Sequence, residues 1–131
     1  MKKSIGTAAL LGALCLALMP TTPAYAANWV YVTNDGSDDA IIYYDSDTTQ
    51  RSGDQVTVWE KWDYSGSKNS KKREMLAHTR YNCADRTYKS LYAIVKYKDG
   101  TAEAENISKK TQTDPVVPDT VVEAQFTAVC R

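Results

Sequence analysis

The strongest constraint on this fold lies in two cysteines, Cys83 and Cys130, the second of them one residue from the end of the sequence. A bond between a mid-chain residue and the C-terminus folds the last segment back onto whatever precedes it. Such a bond persists in an oxidising compartment, so the first question is whether the chain leaves the cytoplasm. Lys2 and Lys3 open the sequence with positive charge, Ile5 to Met19 is apolar apart from small residues, and Ala24-Tyr25-Ala26 follows Pro20 and Pro23. Small residues three and one positions before a bond suit a signal peptidase. Residues 1–26 therefore read as an export signal, cleaved between Ala26 and Ala27. The apolar run is shorter than the ~20 residues that span a bilayer, and no later stretch reads as a transmembrane helix. Cys15 is not placed for lipidation, because bulky Leu14 stands where a lipoprotein signal carries a small residue.

Removing 26 residues from 131 leaves 105, enough for one compact domain over 27–131. Losing Lys2 and Lys3 leaves 14 basic against 16 acidic residues, a formal charge of −2. That balance gives no whole-molecule attraction to nucleic acid or to an anionic membrane. Two remaining cysteines in an oxidising envelope, such as a Gram-negative periplasm, predict one intramolecular disulfide between Cys83 and Cys130. Two thiols and the single His78 make a poor zinc set, so no metal site is expected.

Two-residue periodicity dominates the mature chain. Asn28–Thr33 alternates Trp29 and Tyr31 against Val30 and Val32, and the cluster Asn34 to Asp39 reads as a reversal. It lacks the ligand spacing and the distal glutamate of a calcium loop. Ala40–Asp45 is a second strand, and Gly53-Asp54 ends the loop that follows. Gln55–Tyr64 puts Val56, Val58 and Trp62 on one face and Trp59 on the other. After the polar turn Ser65 to Lys72, Arg73–Asn82 alternates Met75, Ala77, Thr79 and Tyr81 against Leu76, His78 and Arg80. Strict alternation over Arg86–Lys98 sets Leu91, Ala93, Val95 and Tyr97 on a side to be covered. It sets Tyr88, Ser90, Tyr92 and Ile94 on a side free to meet a partner. A short edge strand, Thr101–Ile107, follows Asp99-Gly100.

The period then changes. Pro115 and Pro118 lead to Thr120-Val-Val-Glu123, the spacing of a capping box, and Val122, Phe126, Val129 and Cys130 share one helical face. The sulfur of Cys130 thus points with Phe126 toward whatever the helix covers. The fold class expected is α+β: a single antiparallel β-sheet of about six strands, with a C-terminal helix over Thr120–Cys130 disulfide-tethered to one face.

Catalysis finds little support in these residues. His78 has no assured nucleophile or acid beside it. Asp38-Asp39 and Asp45-x-Asp47 lie in turns, where carboxylates serve the backbone. Lys68, Lys71, Lys72 and Arg73 crowd one turn, with Lys109-Lys110 in another, and form a candidate patch for acidic partners. Tyr88 and Tyr92, among Lys89 and Lys96, resemble a single-strand nucleic-acid platform. Export and the net charge argue instead for a tyrosine-rich protein contact.

Taken in order, Trp29, Tyr44-Asp45, Arg51-Ser-Gly53, Val56-x-Val58-Trp59 and Asp63-Tyr64 carry a pattern that continues through Tyr81-x-Cys83-x-x-Arg86. Pro118, Val122-Glu123-Ala124 and Ala128-Val129-Cys130 complete it. Over about Trp29 to Cys130 the chain resembles the surface-adhesin protein E family. The resemblance implies an antiparallel sheet with its C-terminal helix tied by a disulfide to the concave face. It implies adhesion to host matrix or plasma proteins such as vitronectin, laminin or plasminogen, a homodimer, and haem as a ligand. No residue pattern here independently calls for a cofactor. Two departures stand out: the lipid anchor of the family's namesake has no counterpart here, and Asn82 precedes Cys83 where an acidic residue is expected. The functional reading is an exported, non-enzymatic binding protein. Its rival is a periplasmic structural or accessory protein of the cell envelope with no host ligand.

Expression with the native signal should release a chain beginning at Ala27 and carrying no lipid. Intact-mass measurement checks this, and a lipidated Cys15 as the first residue contradicts it.

Overall fold

The computed structural model describes residues 26–131, so the export signal expected over 1–26 lies outside the described residues except for Ala26. Ala26 and Ala27 are exposed and irregular. Trp29–Asp35 (β1) turns back into Ala40–Asp45 (β2). The reversal uses its acidic residues as the sequence predicts: Asp35 Oδ1 accepts from the Ser37 amide at 3.0 Å and hydroxyl at 2.7 Å. Asp39, at φ 53, completes the turn. β2 pairs antiparallel with Gln55–Asp63 (β4), which pairs with Lys72–Asn82 (β5). Thr87–Tyr97 (β6) follows on β5, and Ala102–Asn106 (β7) lies outermost. The six-strand path β1-β2-β4-β5-β6-β7 is the single antiparallel sheet expected.

Two short strands lie off that path. Gln50–Ser52 (β3), expected as loop, pairs with the start of β4, and Asp114–Pro115 (β8) pairs with the start of β6. The first is a two-residue hairpin around Gly53-Asp54, with Gly53 at φ 59, a conformation that costs glycine least.

The alternation expected for β6 fails at one residue. Thr79 pairs with Ser90 and His78 with Tyr92, so Leu91 is an extra residue opposite no partner, a β-bulge. A bulge advances the chain by one residue without advancing the pairing, and every later side chain changes face. Tyr88 and Ser90 consequently share a face with Ala93 and Val95, whereas Tyr92 faces the other way. The tyrosine side expected to carry both Tyr88 and Tyr92 does not form.

The helix Val121–Val129 (α1) begins at Thr120, whose hydroxyl accepts from the Glu123 amide at 3.2 Å. The reciprocal half of the capping box is displaced by one residue. Glu123 Oε2 accepts from the amide of Asp119 at 2.7 Å, Asp119 being held at φ 61. Val129, Phe126 and Val122 pack with Val56, Val58 and Tyr81, and at the other end Val121 packs with Ile42, Ala40 and Tyr64. Nine residues are too few to hold a helix in water by themselves. Here the last turn is fixed twice more. Arg51 on β3 donates to the carbonyl of Val129, placing a cation at the negative end of the helix. Cys130 is bonded to Cys83 in the β5–β6 turn, with the two Cα atoms 5.5 Å apart.

Cross-linking residues 47 apart removes loop entropy from the unfolded chain worth about 4 kcal/mol. Cys130→Ser should therefore lower the urea midpoint by a large fraction of total stability. Hydrogen exchange should show the greatest loss of protection in α1. An unchanged midpoint contradicts this account.

Candidate functional site

The covered face of β4 reads Val56, Val58, Glu60, Trp62. The first two belong to the apolar cluster under the end of α1, and Trp62 packs on the cluster under its start. Glu60 lies between them, 1 % exposed. Its carboxylate accepts from the hydroxyl of Thr79 at 2.9 Å and from the hydroxyl of Tyr81, both neutral donors on β5. Burial raises its pKa to about 7, against the lowering effect of these two hydrogen bonds. Burial first, and the neighbouring Glu60 second, push the Tyr81 hydroxyl well above its ordinary value. Above this pair, Gln125 of α1 is also 1 % exposed, and neither its Oε1 nor its Nε2 meets a partner among the described residues. Glu60 and Gln125 line one cavity of about 220 Å³ between helix and sheet.

The sequence reading passed over both residues. A signal was present: Glu60 falls in phase with Val56, Val58 and Trp62, and Gln125 with Val121, Val122 and Val129. A polar residue at a buried phase, where unpaired charge is costly, marks a site.

Among the described residues no helix covers the opposite face of the sheet. Paired neighbours Tyr31, Tyr43, Lys61, Leu76 and Ile94 cross five strands in one row. Tyr31 is 57 % exposed and meets Tyr43 edge-on at 6.3 Å. The Lys61 ammonium lies 4.6 Å from the Trp29 ring centre and 4.7 Å from that of Tyr43, in favourable positions for cation–π attraction. The next row holds Trp59, His78 and Tyr92. Trp59 stacks on His78 at 4.6 Å and 14°, and Tyr92 stands edge-on to Trp59 at 6.1 Å. Partial burial, and then the charge of Arg80, lower the His78 pKa, so the imidazole is neutral at pH 7. These side chains form a broad aromatic surface from residues that are far apart in sequence.

The basic turn is less isolated than its sequence implies. Lys68, Lys71 and Arg73 are exposed, but the Lys72 ammonium lies 5.4 Å from the centre of the Tyr64 ring. Asp38 and Asp39, from the β1–β2 turn, share a cavity with Lys71 and Lys72. The local field is therefore mixed. Tyr88 packs against the core near Tyr81, at 6.3 Å between rings, while Tyr92 stays on the uncovered face. Cys83 and Cys130 form the expected bond. Among the described residues no cluster of three or more metal-ligating side chains occurs, and no helix is long and apolar enough to cross a membrane.

The sequence profile of the family described as surface-adhesin protein E matches residues 29–131. Among solved structures, Haemophilus influenzae protein E superposes with a TM-score of 0.55 at 16% identity, covering 78% of this chain and 83% of that one. A second crystal form of the same protein gives 0.53 at 16% identity, covering 79% and 96%. At such identity the likeness is one of fold: an antiparallel sheet with one helix across it. No curated protein sequence matches the chain.

Glu60 makes the stability depend on pH in a defined direction. Its carboxyl titrates at 4.5 when unperturbed and at about 7 in the fold. Between those values the folded protein keeps a proton that the unfolded chain has released. This contribution to stability is thus complete below pH 4.5 and is lost as the pH rises toward 7, by about 3 kcal/mol in all. Glu60→Gln should flatten that slope, measured as unfolding free energy from pH 5 to 8. An unaltered slope contradicts the assignment.

Proposed function

Because this chain belongs to the surface-adhesin protein E family, we propose that it is an exported, non-enzymatic binding protein that attaches to host matrix or plasma proteins through its uncovered sheet face. Vitronectin, laminin and plasminogen are the partners to test. The observation that carries the reading is the aromatic surface in which exposed Tyr31 and half-buried Tyr43, Trp59 and Tyr92 share a face that no helix among the described residues covers. Tyrosine and tryptophan give large contact area at low entropic cost and are enriched at the centres of protein interfaces. Lys61, between two rings, adds a positive charge to that surface without leaving it bare. The exposed Lys68 and Lys71 lie in the β4–β5 turn and exposed Arg73 in the first residues of β5, where they would steer an acidic partner rather than anchor it.

Purified protein with its disulfide intact should bind at least one of the three immobilised partners. Replacing Tyr31 and Tyr43 by Ser should weaken binding about tenfold or more by faster dissociation, the effect of removing a buried aromatic anchor. Reversing the charge at Lys68, Lys71 and Arg73 should slow association and flatten its salt dependence, because exposed charges are screened. Surface labelling of intact cells separates this role from that of a periplasmic accessory protein, since an adhesin is reachable from outside. Absence of binding to all three, together with absence of label, would transfer the assignment to the accessory role.

A further inference from the structure

The cavity beneath α1 does not belong to the uncovered face and has its own chemistry. Its polar groups lie deep: Glu60, Thr79, Tyr81 and Gln125 are buried, whereas Trp62, Met75, Ser90 and Ile107 at its walls are partly exposed. A site that is apolar toward solvent and polar at its floor is the usual build of a small-molecule pocket. Its volume, about 220 Å³, exceeds the roughly 150 Å³ of an apolar cavity that admits benzene.

The floor selects the ligand. Glu60 receives two hydrogen bonds, both from neutral hydroxyls, and no lysine, arginine or histidine is among the described residues lining the cavity. A buried carboxylate without a cation is costly. Gln125, equally buried, has both side-chain polar atoms unpartnered, an arrangement that native proteins seldom leave without a bound molecule. Three aromatic side chains, Trp62, Tyr81 and Tyr88, also line the cavity, and ring faces attract cations. Once Glu60 is ionised, above about pH 7, it would repel an anion, and a neutral molecule would leave its charge uncompensated.

We propose that this cavity binds a small organic ammonium ion, its charged head between Glu60 and Gln125 and its apolar tail along Ala77, Ala93 and Val122. The ammonium N–H groups bond the Glu60 carboxylate and Gln125 Oε1, and water entering with the ligand serves Nε2. Among the described residues lining the cavity, Tyr81 and Tyr88 are the only other titratable groups. The raised pKa of Tyr81 keeps it a neutral donor to Glu60 at the pH values of interest. The site is independent of the adhesive reading.

Butylammonium chloride is a suitable probe, with n-butanol and sodium chloride at matched concentration as controls. At pH 8, where Glu60 is ionised, butylammonium should raise the melting temperature of the disulfide-bonded protein by a saturable few degrees. At pH 5, where Glu60 is protonated and the amine still charged, the rise should largely vanish. The NMR signals of the Gln125 side-chain amide should move along the same saturation curve. Glu60→Gln should abolish the rise, and Gln125→Leu should weaken it. Should Glu60→Gln fail to fold, the pH comparison and the Gln125 signals in the native protein decide the matter. Absence of a saturable rise, an equal rise with butanol, or an equal rise in folded Glu60→Gln would overturn the proposal, as would a cavity that holds water only.

Discussion

A nine-residue helix lies across one face of an antiparallel sheet, and the contact between the two creates the interior of this protein. Without the helix, Val56, Val58 and Tyr81 face water; without the sheet, the helix is too short to persist. Each end of α1 has its own device. At the start, Thr120 and Glu123 occupy exposed amides. At the end, Arg51 takes the Val129 carbonyl and Cys130 is bonded to Cys83. The amide of Cys83 donates at 2.8 Å to the carbonyl of Asp54, so the bond anchors to a turn that is itself tied to the β3–β4 hairpin.

Covering one face leaves the other open, and the side chains there reflect it. Aliphatic residues concentrate under the helix, whereas tyrosine, tryptophan, histidine and lysine occupy much of the outer face. Tyrosine and tryptophan tolerate a boundary with water because each joins an apolar body to a polar tip. The stacking of Trp59 on His78 and the placement of Lys61 between Trp29 and Tyr43 reduce the apolar area that a bare sheet face would present. A surface built this way has the composition of a protein-contact surface.

The interior is not uniformly apolar. Glu60 divides the covered face into two clusters, with Gln125 above, and neither residue is needed to fill space that leucine or methionine would fill better. Hydrogen bonds from Thr79 and Tyr81 offset part of the cost of burying Glu60, and the remainder appears as a carboxyl that titrates near neutrality. Retaining a weakened core at this position is consistent with a binding function for the cavity.

Much of the architecture was legible from residue order alone. Two cysteines outside the segment that reads as an export signal led to the expectation of one disulfide. Period-two patterning located five of the six path strands to within two residues at either end, and β2 without error. The change of period after Pro118, with Thr120 and Glu123 at capping distance, located α1. These features were readable because they depend on neighbours within a few residues, or on a pairing with no alternative. Tertiary structure alone decided three others. The bulge at Leu91 separates Tyr88 from Tyr92, because register is set by the partner strand and leaves no mark in the alternation of β6 itself. β3 exists because Arg51 and its neighbours find an edge of β4 to pair with. The cavity of Glu60 and Gln125 arises only when α1 is laid over β4, since a residue's phase tells which way it points and the element opposite decides what it meets.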